Sequence, residues 1–251
     1  MLLSRNLTAE LIMTTIGSNL YSVRGRIATA CAGAQRPVND VTLLAVSKTF
    51  GPDAVREAFA AGQTAFGENY IQEAVDKMRL LADLPLQWHC IGPVQSNKTR
   101  LVAAHFDWVQ TVDRLKIAQR LSEQRPDALP PLQVCVQVNI DGGATKAGVA
   151  PDAALDLLRE VARLPRLKLR GLLTIPEPTA DVPAQYALHL RAKALFDTLN
   201  QAGAGLDTLS MGMTADLEAA IRAGSTMVRV GSAIFGGRGA TPSSLPSPTE
   251  D

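Results

Sequence analysis

Apolar and polar positions along this chain fall into blocks of two kinds, short runs rich in β-branched residues and longer stretches with helical spacing. Ile16, Leu20, Val23 and Ile27 recur at helical steps and predict an amphipathic helix ahead of the main body. The run Val41-Thr42-Leu43-Leu44-Ala45-Val46-Ser47-Lys48 is nearly all apolar until its last residues. Such composition predicts a strand covered on both faces, as in a parallel sheet. Seven further strands are expected over residues 64–69, 86–92, 107–112, 132–140, 167–175, 206–210 and 227–232. Helical stretches separate them. One carries Val55, Ala58 and Phe59 and closes near Gly62; the next has Ile71, Ala74, Val75 and Met78 as its buried stripe. Others cover 97–104 and 114–123, a segment with Leu157, Val161 and Leu164, residues 183–200, and a segment from Met213 with Leu217, Ala220 and Ile221 inward. A doubly wound open sheet is one arrangement of such units. Eight strand–helix units in this length fit a closed barrel better. The fold class is therefore α/β, a single (β/α)8 TIM barrel with an extra N-terminal helix. It occupies residues 1–239, with 240–251 as a Pro/Ser-rich disordered tail.

Composition narrows the partners. The formal net charge is +1 over 251 residues, so neither nucleic acid nor an anionic membrane is an expected partner. Cys31, Cys90 and Cys135 are odd in number and widely spaced, which suits reduced thiols better than disulfides or zinc. The opening residues lack a long apolar core, and no run is long enough to cross a bilayer. A cytoplasmic location follows as the expectation. No metal-ligand cluster, Ser-His-Asp arrangement or Walker-type loop is present in the sequence.

Lysine is costly to bury inside a sheet, so Lys48 is expected at the carboxyl end of the first strand, opening into a cavity. Active sites of such barrels lie at those strand ends, with phosphate commonly held after strands seven and eight. Ser210-Met211-Gly212-Met213-Thr214 and Gly231-Ser232 offer hydroxyls and free amides at those two places. An amine after strand one and an anion cup after strands seven and eight are neighbours around a closed barrel. That pairing suits an aldehyde with a phosphate tail, pyridoxal 5′-phosphate, joined to Lys48 as a Schiff base. Arg229 shares a strand face with Gly231. A guanidinium at the pyridine nitrogen would keep it unprotonated and weaken the ring as an electron sink.

Several motifs carry a family resemblance. They are Ala45-Val46-Ser47-Lys48-Thr49, Phe66-Gly67-Glu68-Asn69-Tyr70, His89-Cys90-Ile91-Gly92 with Gln95-Ser96-Asn97-Lys98, and Gln137-Val138-Asn139-Ile140 with Lys146 and Gly148. Leu209-Ser210-Met211-Gly212-Met213 and the stretch from Gly224 to Gly231 complete the set. Together, over about residues 43–237, they resemble the pyridoxal phosphate homeostasis protein family. The resemblance implies a barrel similar to that of alanine racemase, with the cofactor on Lys48. It implies Asn69 and His89 around the ring and Arg229 at the ring nitrogen. Ser210, Gly231 and Ser232 would hold the phosphate, with Met211 among the cofactor contacts. Ser232 stands where threonine is usual, and Phe50 where some members have a second lysine. Lys146 matches a family lysine and is either an alternative cofactor contact or a solvated loop residue. Glu68 is expected in a structural salt bridge, and His105 and His189 receive no role.

Two functions remain open at this level. One is a non-catalytic protein of intracellular cofactor homeostasis that stores, buffers and delivers pyridoxal phosphate to apo-enzymes, for which a monomer suffices. The other is a fold-type III racemase or decarboxylase. Enzymes resembling this barrel draw a tyrosine acid/base from a second, β-rich domain of the partner subunit, and this sequence ends soon after strand eight. A carrier is the favoured expectation. A Schiff-base aldolase fits less well, because those barrels place the lysine on a later strand.

Overall fold

The computed structural model describes residues 14–143 and 147–236. Lys146 and the tail at 240–251 lie outside them. The apolar runs form eight parallel strands: β1 (Thr42–Val46), β2 (Ala65–Glu68), β3 (Gln87–Cys90), β4 (Trp108–Val112), β5 (Leu132–Val138), β6 (Leu167–Thr174), β7 (Thr208–Ser210) and β8 (Met227–Val230). Each pairs with its sequence neighbour, and β8 returns to β1 through Thr42↔Met227 to Ala45↔Val230, which closes the barrel. The open-sheet alternative is excluded.

Strand alternation divides each strand between two apolar environments. Leu44, Val46, Ala65, Ile91 and Met227 form one small cluster, and Trp108, Cys135 and Leu173 another; these fill the barrel interior. The outward residues, such as Ala45, Phe66, Trp88 and Val109, join the large core shared with the helices. The lower end of the interior is closed by Arg170. Its guanidinium lies 4.7 Å over the Trp108 ring, pairs with Asp207 at 2.9 Å and bonds Gln133.

Helices α1 (Thr15–Gly33), α2 (Pro52–Ala60), α3 (Ile71–Leu80), α4 (Thr99–His105), α5 (Leu115–Gln124), α6 (Ala154–Ala162), α7 (Val182–Gln201), α8 (Leu217–Arg222) and α9 (Ser232–Phe235) surround the strands. Helix α1 is the expected extra one. Thr14 caps it by accepting the Gly17 N–H at 3.1 Å, and Leu20, Val23 and Ile27 are buried. Each such side chain contributes about 1.5–3 kcal/mol before the entropy of ordering it. α1 packs on α2, α8 and α9, over the seam where β8 meets β1. Two expectations shift. The segment from Met213 becomes helical only at Leu217, because Asp216 Oδ1 takes the Met213 N–H at 2.6 Å and holds a turn there. Gly231 and Ser232 are not the end of β8: Gly231 is the N-cap of α9 and Ser232 its first residue.

Candidate functional site

Lys48 leaves β1 in a tight turn, closed by the Phe50 N–H donating to the Ser47 carbonyl at 3.1 Å. Thr49, inside this turn, has φ 68°. A β-branched residue in that left-handed region costs on the order of 1–3 kcal/mol. The turn is tied down from behind. The Ser47 hydroxyl donates to Glu68 Oε1 at 2.6 Å, and Lys77 Nζ donates to the same oxygen at 2.7 Å and to the Ser47 carbonyl at 2.9 Å. Glu73 Oε1 accepts the Thr49 N–H at 3.0 Å and lies 3.7 Å from Lys77 Nζ. Glu68 and Lys77 are both buried. Burial pushes the Glu68 carboxyl up, against the opposing pull of the Lys77 ammonium. Lys48 itself is half-buried and makes no hydrogen bond or ion pair to a described residue.

A second polar system crosses the barrel interior. Arg229 donates through Nη1 to Ser210 Oγ at 2.8 Å and through Nη2 to the Thr174 carbonyl at 2.9 Å. The Ser210 hydroxyl donates to Gln110 Oε1 at 2.7 Å, and Gln110 Nε2 donates to His89 Nδ1 at 2.9 Å. His89 Nε2 lies 3.0 Å from Gln87 Oε1. Since an amide nitrogen can only donate, His89 Nδ1 must accept and the ring proton belongs on Nε2. Burial pushes the Arg229 guanidinium down to about 10, which still leaves it cationic at neutral pH.

His89 is fully buried, stacked on Trp108 with ring centroids 5.0 Å apart. Burial, with a smaller push from Arg170, drives its pKa from 6.5 to about 3. The unfolded chain therefore binds the extra proton across that window, and stability falls as the pH drops through it. His89 alone is expected to remove about 2 kcal/mol between pH 7 and pH 5. Urea unfolding of His89→Gln should lack that loss; an unchanged slope would place the acid sensitivity elsewhere.

The mouth of the barrel near β7 and β8 supplies hydroxyls and amides. Ser232 Oγ and Thr214 Oγ1 lie 3.3 Å apart, joining the loops after the two strands. A Cβ on Gly231 would come within 3.2 Å of the Val46 carbonyl oxygen, a tight approach that glycine relieves where α9 starts against β1. His189 Nε2 lies 2.9 Å from Asp216 Oδ2, and Asp216 in turn fixes the Met213 amide, which gives this histidine a part in shaping the loop.

Lys48, Asn69, Arg229, Gly231 and Ser232 all lie at or beneath this end of the barrel, as expected. The three other expected residues have engaged or buried surroundings. His89 is level with Gly67 and Val46, two residues short of Asn69 and Lys48, with both ring nitrogens engaged. The Ser210 hydroxyl bonds Gln110 and Arg229, while the half-buried Thr214 carries the hydroxyl beside Ser232. Met211 is fully buried in the outer core, and its N–H donates to the Met227 carbonyl at 3.1 Å. Glu68 forms the expected salt bridge. Sequence reasoning passed over Gln110, Thr174 and Lys77. A glutamine inside the apolar run Trp108-Val109-Gln110 was the legible sign for the first; nothing comparable marked a lysine beside an apolar helix stripe.

The arrangement fits an aldehyde-bearing, anionic cofactor. Asn69 Oδ1 and Thr174 Oγ1 are buried polar atoms without partners at the ends of β2 and β6. The free Lys48 amine offers an electrophile its nucleophile, the Thr214–Ser232 hydroxyls offer an anion its donors, and Asn69 Oδ1 can accept from a ligand's donor. Cys90 and Cys135 are excluded as nucleophiles, since burial pushes both thiols up to about 12. Among the described residues no cluster of His, Cys, Asp and Glu could hold a metal, and no helix is long and apolar enough to cross a membrane.

Residues 22–239 match the family model described as alanine racemase, N-terminal domain. The chain is 59% identical over 226 residues to the pyridoxal phosphate homeostasis protein of Pseudomonas aeruginosa, covering 90% of this chain and 97% of that one. It is 50% identical over 229 residues to the protein of that name in Escherichia coli K12, covering 90% and 98%. Among solved structures, PipY of Synechococcus elongatus with pyridoxal phosphate bound matches at 36% identity and TM-score 0.77, over 88% of this chain and all of that one. Alanine racemase of Clostridium difficile matches at 17% identity and TM-score 0.70, over 89% of this chain and 58% of that enzyme, and shares the fold. With a closed eight-stranded barrel, an amine at the end of its first strand and these relatives, the chain belongs to the pyridoxal phosphate homeostasis protein family.

Proposed function

We propose that this protein binds pyridoxal 5′-phosphate covalently at Lys48 and holds it as a buffered reserve, without turning over a substrate of its own. The observation that carries this is the Lys48 turn: an amine free of partners, presented on a strained and firmly tied backbone beside Asn69. When bound, the cofactor supplies an aldehyde that condenses with the Lys48 amine, with loss of water, and a phosphate tail that needs donors. Thr214, Ser232 and the amides opening α9 would grip that tail, with Gly231 permitting close approach. Asn69 and Thr174 would meet the ring's polar edge. Arg229 would face the ring nitrogen, held in place by Ser210 and the Thr174 carbonyl. His89 would act from below, as the buried end of the chain that fixes Ser210.

A cation at the ring nitrogen favours holding over carbanion chemistry, because it keeps that nitrogen unprotonated. The relatives at 50–59% identity are named for homeostasis rather than for a reaction, which supports the same choice over a racemase or decarboxylase. Incubation with single L-amino acids should yield neither D-enantiomer nor CO2 at enzymatic rates; fast turnover would favour the enzyme. Cytoplasmic apo-enzymes are the proposed recipients, and a monomer suffices for delivery.

Borohydride reduction after adding pyridoxal phosphate, followed by peptide mapping, tests the attachment. The label should fall on Lys48; a label confined to other lysines would overturn the assignment. Thr214→Ala with Ser232→Ala should weaken cofactor binding about tenfold or more while leaving the melting temperature near wild type, since two charge-assisted hydrogen bonds are lost. Unchanged affinity would place the phosphate elsewhere.

A further inference from the structure

We propose that Lys77 is a positioning residue for Lys48, clamping the Ser47–Phe50 turn, with Glu68 and Glu73, in the left-handed conformation that presents the Lys48 amine. This rests on the proposed role of Lys48. The geometry is specific to the turn's backbone. Lys77 Nζ donates to the Ser47 carbonyl on one side of Lys48, while Glu73 accepts the Thr49 N–H on the other. Glu68 bonds both the Ser47 hydroxyl and Lys77, so the three charges meet at one point behind the strand end. Lys77 and Glu68 are buried on the helix side of the sheet, where a lysine and a glutamate are costly to desolvate. A generic ion pair could tolerate many placements; this one grips the two peptide groups flanking the proposed attachment residue.

The tension in the turn explains why a clamp is needed. Thr49 holds φ 68° without being glycine or asparagine, so the free turn would relax toward ordinary backbone angles. Relaxation there rotates the peptide that carries Lys48 and swings its side chain off the barrel mouth. Glycine at position 49 would accept the same angle without strain and would make the clamp unnecessary.

The test uses the full chain and pyridoxal 5′-phosphate, reading covalent attachment by absorbance and by borohydride-trapped peptide mapping, with unfolding followed by circular dichroism. Lys77→Met is combined with Glu68→Gln so that no unpaired carboxylate stays buried. That pair should lower the attachment equilibrium about tenfold, the scale of one strained residue released. Glu73→Ala, which removes an exposed carboxylate and leaves the buried Lys77 ammonium paired with Glu68, should lower it about threefold, as expected for one hydrogen bond. Adding Thr49→Gly to either should restore attachment to within about twofold of wild type, because glycine adopts the turn unaided. A purely structural ion pair would lower the melting temperature with no such rescue. Attachment at wild-type level in Glu73→Ala, or no recovery with Thr49→Gly, would overturn the clamp; should the Lys77 variant not fold, the Glu73 pair of variants decides. Label on a different lysine in the wild type would overturn the role of Lys48 itself, whereas undiminished label on Lys48 in every variant overturns the clamp alone.

Discussion

Lys48→Ala is expected to abolish covalent cofactor attachment and the visible absorbance that goes with it, while the melting temperature stays near wild type. The neighbouring position is Phe50, which offers no second amine. Lys77, the nearest alternative in the network, has its Nζ committed to Glu68 and the Ser47 carbonyl. The fold should be indifferent because Lys48 makes no hydrogen bond or ion pair to a described residue. Truncating an unpartnered side chain is worth at most about 0.5 kcal/mol. Non-covalent retention through the phosphate can survive, which separates this variant from the Thr214 and Ser232 pair. A yellow, borohydride-trappable Lys48→Ala protein would sink the assignment.

Gly92→Ala is expected to be among the most damaging conservative substitutions in the chain. A Cβ there would lie 2.1 Å from the Asn69 carbonyl oxygen and 2.8 Å from its Cα, which are backbone atoms with no rotamer to escape into. The end of β3 and the residue after β2 must separate. Overpacking of this kind costs about 1–3 kcal/mol, or roughly 3–10 °C in melting temperature for a chain this size. The carbonyl of Gly92 also accepts the Thr111 hydroxyl at 2.7 Å, so displacement propagates to β4. Because the clash moves Asn69, cofactor affinity should fall along with stability. Gly25→Ala is the matched control. Nothing lies within 4 Å of its added methyl, and it sits in α1. There alanine should stabilise by about 0.5–1 kcal/mol. Equal melting temperatures for the two variants would refute the packing account.

The barrel was readable because its physics is local. Strands covered on both faces have to be apolar throughout, and helices between them have to carry an apolar stripe, so both periods appear in the sequence. The placement of Lys48, Asn69 and Arg229 toward the carboxyl ends of their strands is readable for a related reason: each is a polar residue at or near the end of an apolar run. What the sequence leaves unread depends on through-space partners. Ser210 looks like a loop hydroxyl in the sequence, and only the position of Gln110, 100 residues away, turns it inward. His89 reads as a site residue, yet its depth is set by how β2 and β3 are staggered. The end of β8 was misjudged because Gly231 and Ser232 continue an apolar strand in composition while capping a short helix in geometry. The Thr49 conformation leaves no mark in the sequence, since a β-branched residue is an outlier at positive φ.

Helix α1 has a consequence for how the chain is made. Its Asn19 side chain reaches the Ile234 carbonyl at 2.9 Å, and Arg26 grips Glu218 through two bonds of 2.7 and 2.9 Å. The first and last described elements thus complete each other. During synthesis, β1 lacks its β8 neighbour, and α1 has α2 but not α8 or α9 to pack on, until α8, β8 and α9 emerge. Contacts this distant along the chain make for slow closure, and the nascent polypeptide is most exposed to aggregation just before its final strand arrives.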